Sequence, residues 1–204
     1  MQDGDTSAGE RWASAAHFVD SLSRKRSTRF DDMTKAEIKL DRLAAKGWCD
    51  MAQAKLLLDT NVVVDYLNER EPYYEKARLL MIGGRVGEFE LWISSSQVTD
   101  LVYILSNGGR TSEMDAVMGQ LRGLRTFVNV FAASEREVDL MLAASWHDPE
   151  DYLLYEIALA LRADALITRN QPDFPQGLVP VLDCDEFFAR MKTERGLDYG
   201  KIEF

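Results

Sequence analysis

Cysteine is nearly absent: Cys49 and Cys184 are the only two in 204 residues, far apart and without His or Cys neighbours at metal-ligand spacing. That excludes a zinc site and a disulfide framework and leaves two free thiols. Histidine is as sparse, and His17 and His147 lack a ligand-spaced companion, so surface or packing duty is expected of both. No apolar run approaches the roughly 20 residues that span a bilayer. The start, Met1-Gln2-Asp3-Gly4-Asp5, lacks the basic opening and apolar stretch of a secretory signal. These absences predict a soluble cytoplasmic protein. Repeats and low-complexity segments are also missing, and the length suits one ordinary domain with an appendage.

Positive charge is short, and only in one part of the chain. Of the 34 acids and 24 bases, nine of each lie in residues 1–50, which leaves 25 acids and 15 bases for residues 51–204. An acidic surface repels nucleic acid, so RNA chemistry in the second part would need bound cations and local arginines. Surface acids that aid solubility account for most of the 25, but not for acids inside apolar runs.

The chain divides accordingly. Residues 1–50 form a helical extension, residues 51–192 the main domain and residues 193–204 a C-terminal tail. Trp12, Ala15, Ala16, Val19 and Leu22 recur at three- and four-residue intervals, which predicts an amphipathic helix over 10–23. A second helix is expected from Thr34, where Glu37 completes a capping box and Met33 can staple onto Ile38, to about Gly47. Neither can build a core within 1–50, so both need another surface.

From Lys55 short apolar strands alternate with helices, the pattern of a mainly parallel sheet covered on both faces. Strands are expected at 55–58, 91–94, 128–132, 165–168 and 179–182, and helices near 61–69, 72–83, 95–107, 111–123, 134–145, 149–163 and 184–192. Asp148-Pro149 and Ser134 with Glu137 mark helix starts. Gly83-Gly84 and Gly108-Gly109 read as turns. Trp92 and Trp146 adjoin apolar elements and read as core or interface.

Four aspartates stand out. Asp59 directly follows Leu56-Leu57-Leu58, at the carboxyl end of a parallel strand, where open α/β sheets bind ligands. It either serves a site or caps the next helix. Asp100 lies in the otherwise apolar helix Val98-Thr99-Asp100-Leu101-Val102, where an unpaired carboxylate is costly; the alternatives are snorkelling or pairing with a base such as Arg169. Asp151 falls in the first turn after Asp148-Pro149, where the helix dipole also favours Asp148 and Glu150 without chemical duty. Asp173 follows Thr168-Arg169-Asn170-Gln171-Pro172, a strand end that is also ordinary turn chemistry. Oxygen-only ligands of this kind suit Mg²⁺ or Mn²⁺ and phosphodiester hydrolysis. Thr60, Asn61, Ser94, Thr168 and Asn170 supply short polar side chains on the same rim to orient carboxylates and waters.

The run Leu56-Leu57-Leu58-Asp59-Thr60-Asn61-Val62-Val63-Val64-Asp65 resembles the opening of a PIN domain. Ile93-Ser94-Ser95-Ser96-Gln97-Val98-Thr99-Asp100, Pro149-Glu150-Asp151-Tyr152 and Leu166-Ile167-Thr168-Arg169-Asn170 leading to Asp173-Phe174 continue the likeness in order over about residues 52–192. The resemblance implies a PIN-like three-layer α/β/α sandwich and a VapC-type toxin, a Mg²⁺- or Mn²⁺-dependent ribonuclease with Asp59, Asp100, Asp151 and Asp173 as catalytic, metal-binding acids. Two positions depart from the pattern: relatives more often carry glutamate where Asp100 stands, and aspartate where Asn170 stands. Met33-Thr34-Lys35-Ala36-Glu37-Ile38 with Ala45-Lys46-Gly47-Trp48 is similar to the tail of antitoxins of the RelB or DinJ sort. The resemblance therefore implies an RNA substrate, an antitoxin partner that is either separate or the chain's own N-terminus, and a homodimer. The competing readings are a helical extension packed for stability and a PIN-like module that binds RNA or protein without cutting. A haloacid-dehalogenase-type phosphatase is disfavoured, because it needs an aspartate where Asn61 stands.

Overall fold

The computed structural model describes residues 53–199, so the helices expected at 10–23 and 34–47 lie outside the described residues. Five strands alternate with seven α-helices: β1 (Ala54–Leu58), α1 (Thr60–Leu67), α2 (Tyr74–Arg85), β2 (Phe89–Ser94), α3 (Ser95–Leu105), α4 (Thr111–Leu124), β3 (Val128–Phe131), α5 (Glu135–Ala143), α6 (Pro149–Leu161), β4 (Ala165–Ile167), β5 (Val181–Leu182) and α7 (Cys184–Arg195). A 3-10 turn, Gln171–Asp173, lies between β4 and β5.

The sheet runs β3-β2-β1-β4-β5 and every pairing is parallel. Strands buried on both faces need apolar residues at every position. Leu56, Leu57 and Leu58 in β1 are fully buried. Alternation along the strand sends them to different layers: Leu56 and Leu58 pack with Val62, Val63, Leu80, Leu101 and Phe187, whereas Leu57 packs with Leu154, Ile157, Leu166 and Phe174. The result is an α/β/α sandwich, with α6 on one face and α1, α2, α3 and α7 on the other.

Strand order decides where a site can form. The chain leaves β1 toward β2 and β3 on one side, then returns to β4 and β5 on the other, so the direction reverses between β1 and β4. At such a switch point the loops beyond the strands diverge and leave a crevice. Leu58 is in register with Ile167, which sets Asp59 and Thr168 side by side at that crevice.

Several boundaries differ from expectation. Gly83-Gly84 is no turn: both residues lie inside α2, where small residues let the helix approach β2. A Cβ on Gly83 would stand 2.5 Å from the Phe89 ring, and one on Gly84 would overlap buried Leu91. Helix α7 continues past Lys192 to Arg195 because Gly196, at φ +69°, supplies its left-handed terminus, and this absorbs the start of the expected tail. Strand β5 is limited to Val181–Leu182, with the segment before it held by Leu166 N donating to Pro180 O at 2.9 Å. Among the described residues no helix is long and apolar enough to cross a membrane.

Alanine normally stabilises a helix interior over glycine by about 1 kcal/mol. Gly119→Ala, with open space around its Cβ position in α4, should follow that rule. Gly84→Ala should reverse it and lose roughly 1–3 kcal/mol through overpacking. Urea unfolding of the two variants checks the opposite signs.

Candidate active site

Asp59 is 8% exposed at the carboxyl end of β1. Its amide donates to Ile167 O at 2.9 Å, which extends the β1–β4 ladder by one step and fixes the residue against β4. Thr168 Oγ1 donates to Asp59 Oδ2 at 2.6 Å, and Asn61 Nδ2 donates to the same oxygen. The Thr168 hydroxyl oxygen in turn accepts from Asn61 Nδ2 at 3.1 Å and from Asn170 N at 2.9 Å, so its single proton is directed at Asp59. Helix capping does not account for Asp59, because its side chain makes no cap hydrogen bond. The Thr60 and Asn61 amides lie close enough to favour its charge, though outside hydrogen-bonding geometry. Burial raises the Asp59 pKa, opposed first by the Thr168 hydroxyl, then by those amides, and least by Arg169.

The adjoining strand end is locked by a residue that the sequence reading passed over. Gln97, 2% exposed on α3, donates through Nε2 to Leu58 O and Thr60 Oγ1, both at 3.0 Å, and accepts from Ser94 N at 2.7 Å. Thr60 is thereby oriented from behind. Ser94 caps α3 by accepting from Ser96 N at 3.2 Å, a backbone role with no contact to a carboxylate. The signal for Gln97 was present: Ser94 and Gln97 have the spacing of a capping box.

Helix α6 brings the other acids. Asp148 is its N-cap, accepting from Glu150 N at 2.9 Å and Asp151 N at 3.3 Å. Glu150, which the sequence reading gave to the helix dipole, lines an open cleft of about 250 Å³ together with Asp59, Thr60, Asn61, Asp148, Asp151 and Asn170. The crowding has an electrostatic consequence. Burial, then the charges of Asp148, Asp59, Asp173 and Glu150, push the Asp151 carboxyl up to about 7. Burial and the charges of Asp100, Asp148 and Asp59 likewise raise Glu150.

Asp100 and Asp173 are therefore within electrostatic reach, although neither lines the cleft itself. Asp173 accepts from Asn170 Nδ2, and its backbone carbonyl accepts from Trp146 Nε1 at 2.7 Å. His147, expected to have only a surface or packing role, stands with Nε2 3.3 Å from Asp173 Oδ1. Arg169 pairs with Asp65 rather than Asp100: its Nε lies 2.9 Å from the buried Asp65 Oδ2, and its guanidinium covers the Tyr73 ring at 4.3 Å. Among the described residues, no three His, Cys, Asp or Glu side chains stand grouped as metal ligands.

Residues 55–172 match the PIN domain model, which is more than half of the chain. The chain belongs to the PIN-domain family. It is 27% identical to Ribonuclease VapC1 of Aquifex aeolicus (strain VF5) over 147 residues, covering 70% of this chain and 99% of that relative. A crystal structure of VapBC2 from Rickettsia felis, bound to a DNA fragment from their promoter, aligns at 18% identity and a TM-score of 0.45, covering 63% of this PIN chain and 97% of that one.

The raised Asp151 pKa has a stability signature. Unfolded, the carboxyl titrates near 3.8; folded, it holds its proton to about 7. The stabilising effect of that proton is complete below pH 3.8 and is lost as pH rises toward 7. Asp151→Asn removes the dependence. In metal-free buffer its advantage in Tm should grow between pH 4 and 7 and then level off at roughly 2–4 °C, or ~1 kcal/mol after allowing for solvent screening. Thermal melts across this range check it, and a pH-independent difference would contradict it.

Proposed function

We propose that this PIN domain is a Mg²⁺- or Mn²⁺-dependent endoribonuclease of the toxin kind, with Asp59, Asp100, Asp151 and Asp173 as its catalytic, metal-binding acids and Glu150 beside them. The observation that carries the proposal is the Asp151 environment, in which carboxylates from the end of β1, the start of α6 and the 3-10 turn act on one another across one cleft. The name of the Aquifex aeolicus relative, matched over nearly its full length, supports ribonuclease chemistry.

The residues fit a hard divalent cation. Every donor is an oxygen, and carboxylates crowded enough to raise one another's pKa values gain from a positive charge among them. Among the described residues the acids are not grouped as ligands where they stand, so binding a cation requires them to move closer together. When bound, the cation supplies positive charge that neutralises the phosphodiester and makes the attacking water more acidic. The chain's own part is to orient the acids. Thr168 and Asn61 occupy Asp59 Oδ2 and so fix the carboxylate plane, and Asn170 does the same for Asp173. Asp148 spends its charge on the α6 amides, which aims Glu150 and Asp151 at the cleft.

We extend the proposal to residues 1–50, whose likeness to an antitoxin tail and whose arginines Arg24, Arg26 and Arg29 suit an inhibitor of an acidic cleft. A PIN-like module that binds RNA or protein without cutting is the second reading, favoured by Asn170, an uncharged amide at the strand end where many relatives carry an aspartate.

RNA digestion with Mn²⁺ should separate these readings when the full chain, residues 51–204 and Asp59→Asn in the shorter form are compared. The shorter form should cleave and lose activity to chelator, and Asp59→Asn should cost at least about 100-fold, or ~2.7 kcal/mol of barrier. The full chain should be slower. Equal rates for both lengths would remove the inhibitory role, and RNA retention without cleavage would favour the binding module.

A further inference from the structure

A cleft lined by four carboxylates is a poor place for a polyanion unless some cation faces the strand as it enters. Among the described residues that line it, one base is present, Arg70. It sits in the α1–α2 connection, immediately after Glu69, which adopts a left-handed φ of 51°. Its backbone is pinned on both sides: Arg70 N donates to Asp65 O at 3.0 Å, and Arg70 O accepts from Tyr73 N at 3.0 Å and Tyr74 N at 2.8 Å. The side chain is treated differently. It is exposed, and although its charge helps Arg169 to oppose the burial that raises the pKa of Asp65, no hydrogen bond or ion pair is seen to tie its guanidinium to another described residue, whereas Arg169 is paired with Asp65 and laid on Tyr73.

A cation with a fixed root and an exposed head whose hydrogen-bond donors are not tied to a described residue, in the lining of an acidic cleft, is arranged to meet an anion arriving from solvent. We propose that Arg70 forms a phosphate subsite that grips a backbone phosphodiester of single-stranded RNA beside the carboxylate cluster. This deepens the ribonuclease reading and rests on it for the choice of RNA. The subsite fits one phosphate, because Arg70 is the single base among the described residues of the lining, and it accepts any sequence, because a guanidinium–phosphate contact carries no base information.

A competing role is that Arg70 merely adds positive charge beside buried Asp65, whose ionised form it helps Arg169 to favour. The two differ in what they do to RNA affinity and its salt dependence. Each phosphate neutralised on a single strand contributes a slope of about −0.7 to log K against log salt. The test is fluorescence anisotropy of a labelled single-stranded oligoribonucleotide with Mn²⁺, using full-length chain carrying Asp59→Asn so that the probe survives. Adding Arg70→Gln should weaken binding by about tenfold and flatten the salt slope by about 0.7, and adding Arg70→Lys instead should restore most of the slope. Mn²⁺ affinity, measured without RNA, should stay within about twofold.

The proposal is overturned if Arg70→Gln leaves RNA affinity and slope unchanged, if the parent binds no RNA, or if Mn²⁺ affinity falls in step with RNA affinity. The ribonuclease reading fails separately. If residues 51–204 with Asp59 intact do not cleave while Arg70→Gln still flattens the slope, the subsite stands and the hydrolytic role falls.

Discussion

Like charges held together around one open, partly buried cleft are the constraint around which this site is organised. A carboxylate pays for burial by resisting ionisation, and several near one another resist more. Asp151 experiences both effects: burial first, then four acidic neighbours, hold its proton to about 7. No apolar packing argument requires such an arrangement. Replacing any of these acids by a neutral residue of similar shape would relieve the cost, which is why perturbed carboxylates in a cleft point to function.

The fold supplies the place and the polar framework supplies the orientation. Strand direction reverses between β1 and β4, so the crevice opens where Asp59 and Thr168 stand side by side. Three close hydrogen bonds among Asp59, Asn61 and Thr168 then fix one carboxylate. Gln97 holds the strand end from behind through Leu58 O and Thr60 Oγ1. On the far wall Asp148 satisfies the first amides of α6, and the next two acids are presented to the cleft as a consequence of helix geometry. Buried leucines on alternating faces of β1 keep both walls in place.

The sheet was legible in the sequence because parallel strands leave continuous apolar runs, and each expected strand has its counterpart. The position of Asp59 at a strand end was legible for a related reason, since it directly follows Leu56-Leu57-Leu58, but sequence alone left helix capping as an equal reading until the fold showed no cap hydrogen bond from its side chain. Gly83-Gly84 misled, since a glycine pair read along the chain marks a turn, whereas its cause lies across space in the Phe89 ring and Leu91. Glu150 and His147 were hidden in a similar way. Helix-dipole logic absorbs an acid in a first turn, and only the folded distance to Asp173 gives His147 a partner. The Arg169–Asp65 pair joins positions too far apart in sequence for any local pattern to link them.

The central claim is that these acids act on one another at one cleft and hold a divalent cation there, and the Asp151 carboxyl reports on both parts. Its titration followed by carboxyl carbon resonances, with and without Mg²⁺, is the most direct measurement. The account predicts a pKa near 7 without metal and a fall of at least about two units when Mg²⁺ binds, because an opposite charge nearby favours the ionised form. A metal-free value near 3.8, the ordinary aspartate position, would contradict the convergence. A raised value that ignores Mg²⁺ would contradict the cation site.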